Sequence, residues 1–122
     1  MTGTRSRPSL KLKKCLVLLE EARRDLEVGC YNKAVSAAYF AVRMAAEVLL
    51  KGVKTRRDDK VANALGRVLG QEYRDAMLWL YEERKRADYR AFLFNRERAA
   101  LAVRRAEEIL SEVLERIRRE RG

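Results

Sequence analysis

The chain contains no histidine. That removes the side chain whose ordinary pKa serves general acid–base chemistry near neutral pH, and with it the commonest metal ligand. A site in this protein must bind, or react through other groups. Proline occurs once and glycine six times in 122 residues, and there is a single glutamine. So few turn formers leave little material for the breaks between short strands. The remaining composition is dominated by Ala, Leu, Val, Glu, Arg and Lys, the residues that form helices most readily. An all-α class follows, and the length suits one domain with one core.

Long apolar runs are also missing. Glu20 and Glu21 interrupt the best candidate, so neither a bilayer-spanning helix nor a signal-peptide core is expected. The two cysteines, Cys15 and Cys30, stand in no metal-ligand spacing. Without a secretion signal they are expected as two buried thiols rather than a disulfide, and the compartment as cytoplasmic. The glycines stand singly and form no phosphate-cradling loop, and Ser36 and Ser111 have no imidazole to activate them. The pairs Glu20-Glu21, Glu82-Glu83 and Glu107-Glu108 are neighbours on helices, hence about 100° apart, and read as solvated faces. A di-metal bundle would in addition want Glu-x-x-His. No metal and no cofactor is expected.

What is abundant is positive charge, with a formal net charge of +10. It is uneven: the excess lies in residues 1–14, 51–60 and 84–105, and the other stretches are near neutral or slightly acidic. Such patches attract a phosphate backbone or an acidic protein surface without specifying which. A non-specific polyanion or nucleic-acid binder is therefore one of the readings. The scarcity of Gln and Asn beside many Arg and Glu residues also fits a thermophilic source.

Periodicity organises the rest. Residues 1–8 read as a flexible basic arm, and residues 9–122 as a single helical domain that Ser9 opens as a cap. A first helix is expected over about 10–28, with Leu12, Cys15, Leu16, Leu19, Ala22 and Leu26 on its apolar stripe and Gly29 as its left-handed stop. A second, about 31–51, carries Ala34, Val35, Ala38, Tyr39, Val42, Ala45, Ala46 and Leu49 and ends at Gly52. Its wide stripe of small residues places it at the centre of a bundle. Asp58 or Asp59 is expected to cap a short third helix that Gly66 weakens and Gly70 stops. A fourth spans about 71–89, with Trp79 off its apolar stripe and placed to face a partner. Asn95 caps a fifth that runs to about Arg119. Short loops between long helices give an antiparallel up-and-down bundle of four long helices plus one short helix.

The candidate chemistry lies in Tyr81-Glu82-Glu83-Arg84-Lys85-Arg86-Ala87-Asp88-Tyr89-Arg90. Arg84 and Asp88 are four apart, so on a helix they share a face and can pair. One reading makes them a structural lock, with Arg84 bridging Asp88 and Glu47 across the bundle. The other makes Arg84, Asp88 and Tyr89 a candidate site, with Arg84, Lys85, Arg86 and Arg90 as a polyanion-binding patch.

Four runs carry a wider likeness: Ala22-Arg23-Arg24-Asp25-Leu26, Gly29-Cys30-Tyr31-Asn32-Lys33-Ala34, Ala37-Ala38-Tyr39-Phe40-Ala41, and Leu80 to Tyr89. In this order and spacing the chain resembles the HEPN superfamily, and within it a branch of short prokaryotic proteins, from about Leu10 to Ile117. The resemblance implies a bundle of four or five helices that commonly forms a homodimer. In nuclease members an arginine followed after four to six residues by histidine sits at the dimer cleft and cleaves RNA without metal. Arg84 fits the arginine position, and the histidine offset falls on Tyr89, Arg90 or Ala91. A tyrosine hydroxyl, with an ordinary pKa near 10, is a poor base at neutral pH.

Family members often stand beside a small nucleotidyltransferase, as toxin and antitoxin or as two halves of one system. That implies a nucleotidyltransferase partner, with RNA or a nucleotide as the charged ligand. In some pairs the partner adenylylates a tyrosine near the nuclease motif, which points here to Tyr89. The leading expectation is a non-catalytic or weakly active binding module. The alternative is a metal-independent ribonuclease in which Asp88 or Tyr89 replaces histidine.

Overall fold

The computed structural model describes residues 7–51, 53 and 55–121. Five helices follow one another: α1 (Arg7–Glu27), α2 (Tyr31–Leu49), α3 (Asp58–Leu69), α4 (Gln71–Tyr89) and α5 (Arg96–Arg121). No strand occurs among the described residues. Likewise, no helix among them is long and apolar enough to cross a membrane.

Ion pairs and hydrogen bonds fix the directions. Lys11 near the start of α1 meets Glu47 near the end of α2 at 3.4 Å. Arg23 of α1 meets Glu107 of α5 at 2.7 Å. Asn32 at the start of α2 bonds the Phe94 amide just before α5. Thus α1 and α4 run one way, α2 and α5 the other, and short α3 folds back on α4 through Gly70. This is the expected up-and-down bundle.

α2 is its centre and packs against each of the other four helices. Ala34, Val35, Ala38, Ala41, Val42, Ala45 and Ala46 are all fully buried. Short side chains on every side allow four neighbours to close on one axis, and that close approach is what an alanine-rich helix contributes. On α5, the buried seam Ala99, Ala102, Val103, Ala106, Ile109, Leu110 and Val113 keeps the three–four spacing of an amphipathic helix. α1 buries Cys15, Leu19 and Ala22, whereas Leu16, placed on the stripe from spacing, is 47% exposed.

The helix ends depart from expectation for local reasons. α1 starts at Arg7 rather than Leu10. Pro8 then falls in the first turn, where its missing N–H would have had no intrahelical partner, and Ser9 lies inside the helix instead of capping it. Residues 1–6 of the basic arm lie outside the described residues. α2 ends at Leu49, with the Leu50 N–H closing on the Ala46 carbonyl. Gly52, expected as its stop, lies outside the described residues. Asp58 does not cap α3: Arg57 occupies that position, and the Asp58 carboxylate turns to Arg43 instead. Asn95 does cap α5, its Oδ1 accepting the Arg98 N–H at 2.8 Å. Gly29 and Gly70 adopt positive φ, 86° and 119°, as their helix-stop roles require.

Cys15 is buried, and burial pushes its thiol above the ordinary range. Cys30 was expected inside but is exposed, because it occupies the α1–α2 turn immediately before α2. Both are free thiols.

Candidate functional site at the Arg84 cleft

A shallow cleft of about 290 Å³ opens between α2, the residues leading into α3, and α4. Tyr39, Phe40 and Arg43 of α2 form one wall, Arg56 and Asp58 another, and Arg84 of α4 the third. Helical spacing builds it. Tyr39 and Arg43 are one turn apart on α2, and Arg84 lies one turn beyond the buried Leu80 on α4.

Arg84 sits among aromatic rings. Its guanidinium carbon is 4.8 Å from the Phe40 ring centre, 5.1 Å from Tyr89 and 5.8 Å from Tyr39. Ring faces attract a cation, and the planar guanidinium stacks where an ammonium would not. Its Nε lies 3.1 Å from Asp88 Oδ2, within ion-pair range, yet the two are not aligned for a hydrogen bond. Its Nη2 donates to Tyr89 Oη at 3.3 Å. Ser36 Oγ donates to the same Asp88 oxygen at 3.2 Å. Asp88 is therefore held by two partners, while Tyr89 is 71% exposed.

Beside this, Arg43 organises the cleft's other side. It bonds Asp58 Oδ1 at 2.7 Å, Glu47 Oε2 at 3.0 Å and the Thr55 carbonyl at 3.1 Å. Glu47 is thus taken by Arg43 and Lys11, and the expected Arg84–Glu47 bridge does not form. Burial pushes the Asp58 carboxyl up, and the charges of Arg84 and Lys85 draw it back. Tyr39 is 2% exposed, and its Oη has no hydrogen-bond partner among the described residues.

Of the residues singled out from sequence, Arg84, Asp88 and Tyr89 come together. The four basic residues do not point one way, since consecutive helical positions diverge by about 100°. Lys85 lies 4.6 Å over the Tyr81 ring and pairs with Glu82 at 3.0 Å. Arg86 turns toward Phe92 and Glu83. Arg90 is exposed where α4 ends.

Two supports of the site were missed. Asn32 donates to the carbonyls of Ala87 and Phe92 and accepts the Phe94 N–H, fixing the turn after Tyr89 from three sides. Glu83 was expected on a solvated face, yet it is buried and bound by Arg98 at 2.5 and 2.8 Å. A signal existed for Glu83: it continues the spacing of Ala76 and Leu80 along the inner side of α4. None existed for Asn32, whose partners are more than fifty residues away.

Among the described residues, no group of three or more acidic or thiol side chains could hold a metal ion. What the cleft offers is a guanidinium set among aromatic rings within an all-α bundle. The family model of the HEPN domain matches residues 11–117, nearly the whole chain. The chain belongs to the HEPN domain family, a helical class related to nucleotide and RNA chemistry. No curated protein matches it.

Proposed function

We propose that this protein is a homodimeric HEPN binding module with little or no nuclease activity of its own, which acts as the binding partner of a small nucleotidyltransferase. The carrying observation is the state of Asp88. With histidine absent from the chain, Asp88 is the nearest candidate base to Arg84, and Ser36 and Arg84 both engage its carboxylate. A carboxylate held by these two partners suits positioning Arg84 better than taking a proton from a ribose hydroxyl. Arg84 lines the cleft and has further N–H donors beyond the one given to Tyr89. A guanidinium so placed suits a phosphate group of RNA or of a nucleotide.

Labelled RNA incubated with the purified protein in EDTA tests this reading, with Arg84→Ala as control. The expected result is no cleavage by either protein, together with copurification of a nucleotidyltransferase encoded beside it. Cleavage by the parent that Arg84→Ala abolishes would overturn the reading. One observation favours that ribonuclease alternative: the Arg84–Tyr89 contact places a hydroxyl at the histidine offset.

A further inference from the structure

A larger concavity lies elsewhere. A groove of about 920 Å³ runs between α4 and α5, and Trp79, which lines it, is about 140° around α4 from Arg84. Its floor is Tyr73, Ala76, Trp79 and Ile109. Its walls carry five carboxylates against two guanidiniums, in a chain whose net charge is +10.

Two of those carboxylates are engaged, Glu107 by Arg23 and Asp75 by Arg74. The other three, Glu72, Glu108 and Glu112, form no ion pair among the described residues, and they converge on Tyr73. Burial pushes the Tyr73 phenol up, and the charges of Glu112, Glu72 and Glu108 push it further. The floor already accepts one cation, because the Arg105 guanidinium lies 4.4 Å from the Trp79 ring centre. Half-buried aromatic rings bordered by uncompensated carboxylates suit arginine or lysine: the ring takes the face of the cation and the carboxylates its N–H donors. Phosphate backbones would be repelled by the same walls.

We propose that this groove docks a basic segment of a partner protein, one arginine or lysine of which lies against Trp79 and Tyr73 while its neighbours meet Glu72, Glu108 and Glu112. The apolar floor gives such a segment a reason to stay that charge alone does not, since exposed ion pairs contribute little. Binding at this site is independent of Arg84.

Trp79 is the sole tryptophan, so its emission reports on the groove directly. The probe is a tryptophan-free peptide of Leu-Arg-Arg-Ala repeats, titrated into the full chain at moderate salt. A saturable change in Trp79 emission is expected with the peptide and none with spermidine at equal charge concentration. The double variant Glu108→Gln/Glu112→Gln should weaken binding by roughly five- to tenfold, the equivalent of two exposed ion pairs. Ser111→Arg, a change at an exposed groove residue, should abolish it, and Arg84→Ala should leave it intact. Unchanged emission with the peptide, full affinity in the Gln variant, or an equal response to spermidine overturns the proposal. So does self-association that Ser111→Arg disrupts and the peptide cannot compete, which assigns the groove to a second copy.

Discussion

Glu83 and Arg98 form a two-point pair across the α4–α5 contact: Nε and Nη2 of Arg98 meet the two carboxylate oxygens at 2.5 and 2.8 Å. The Glu83 side chain is 2% exposed and that of Arg98 37%, so the pair is buried at one end and open at the other. Glu83 raises the Arg98 guanidinium further above its already high range. Arg98→Ala would leave a carboxylate buried with only the more distant Arg86, at 3.8 Å. The expected loss is about 2–3 kcal/mol, below the range for a fully buried pair because water reaches the Arg98 end. Urea unfolding checks it, and the double variant Glu83→Leu/Arg98→Met should recover most of the loss, since it leaves no buried charge behind. A double variant as unstable as Arg98→Ala would show that packing rather than charge is at stake.

Asn32 makes three hydrogen bonds to the segment that joins α4 to α5. Asn32→Ala removes all three and should cost about 1–3 kcal/mol, the penalty of leaving part-buried backbone groups unpaired. Asn32→Asp should cost more, because it turns a carboxylate toward two carbonyl oxygens in place of the donor they need. Hydrogen exchange localises the effect: the Phe94 amide should exchange much faster in both variants, while amides in the middle of α2 slow or speed only with global stability.

The bundle was legible because its signals are periodic. Spacings of three and four along 12–26, 34–49 and 99–113 state which residues point inward, and Gly29, Gly70 and Asn95 state where helices stop or start. The misplaced ends share a cause: Ser9 and Asp58 are good caps in isolation, but Pro8 fits a first turn and Arg43 competes for Asp58. The cluster of Arg84, Asp88 and Tyr89 was legible because its members are within one helical turn or so of each other. The Tyr39 and Phe40 rings beside Arg84 were not, since they come from another helix, and neither were the role of Asn32 and the Arg98 partner of Glu83, which are fixed only when α4 meets α5. Local pattern gives faces and ends; which polar groups meet across helices is set by the packing.

Gly66 illustrates that limit. By propensity it only weakens α3, and Gly66→Ala in an exposed helix would add about 1 kcal/mol of stability. In the bundle, a Cβ at Gly66 would stand 2.8 Å from the Cβ of Arg74 on α4, nearer than side-chain carbons approach. Gly66→Ala must therefore push α3 from α4, with an expected net loss of about 1–3 kcal/mol in thermal or urea unfolding. Because the clash is with Cβ, Arg74→Ala should not rescue it and Arg74→Gly should. Rescue by Arg74→Ala would mean that the longer side chain, with its 2.7 Å bond to Asn63, was the obstacle.

Tyr89 allows the proposed role of Arg84 to be tested. In the sequence Arg84-Lys85-Arg86-Ala87-Asp88-Tyr89, the tyrosine stands at one of the offsets the family resemblance implies for histidine, and its hydroxyl accepts from Arg84 Nη2 at 3.3 Å. Tyr89→His would place an imidazole, with an ordinary pKa near neutrality, beside a guanidinium already oriented by Phe40, Tyr39 and Asp88. Position 89 is exposed, so the change should cost the fold less than about 0.5 kcal/mol. If Arg84 is the surviving half of such a motif, Tyr89→His should raise cleavage of labelled RNA in EDTA by about a hundredfold or more, the scale of one positioned acid–base group. Arg84→Ala in that background should abolish the gain. A folded Tyr89→His protein that cleaves no faster than its parent would mean that this cleft lacks more than histidine, and that Arg84 serves binding alone.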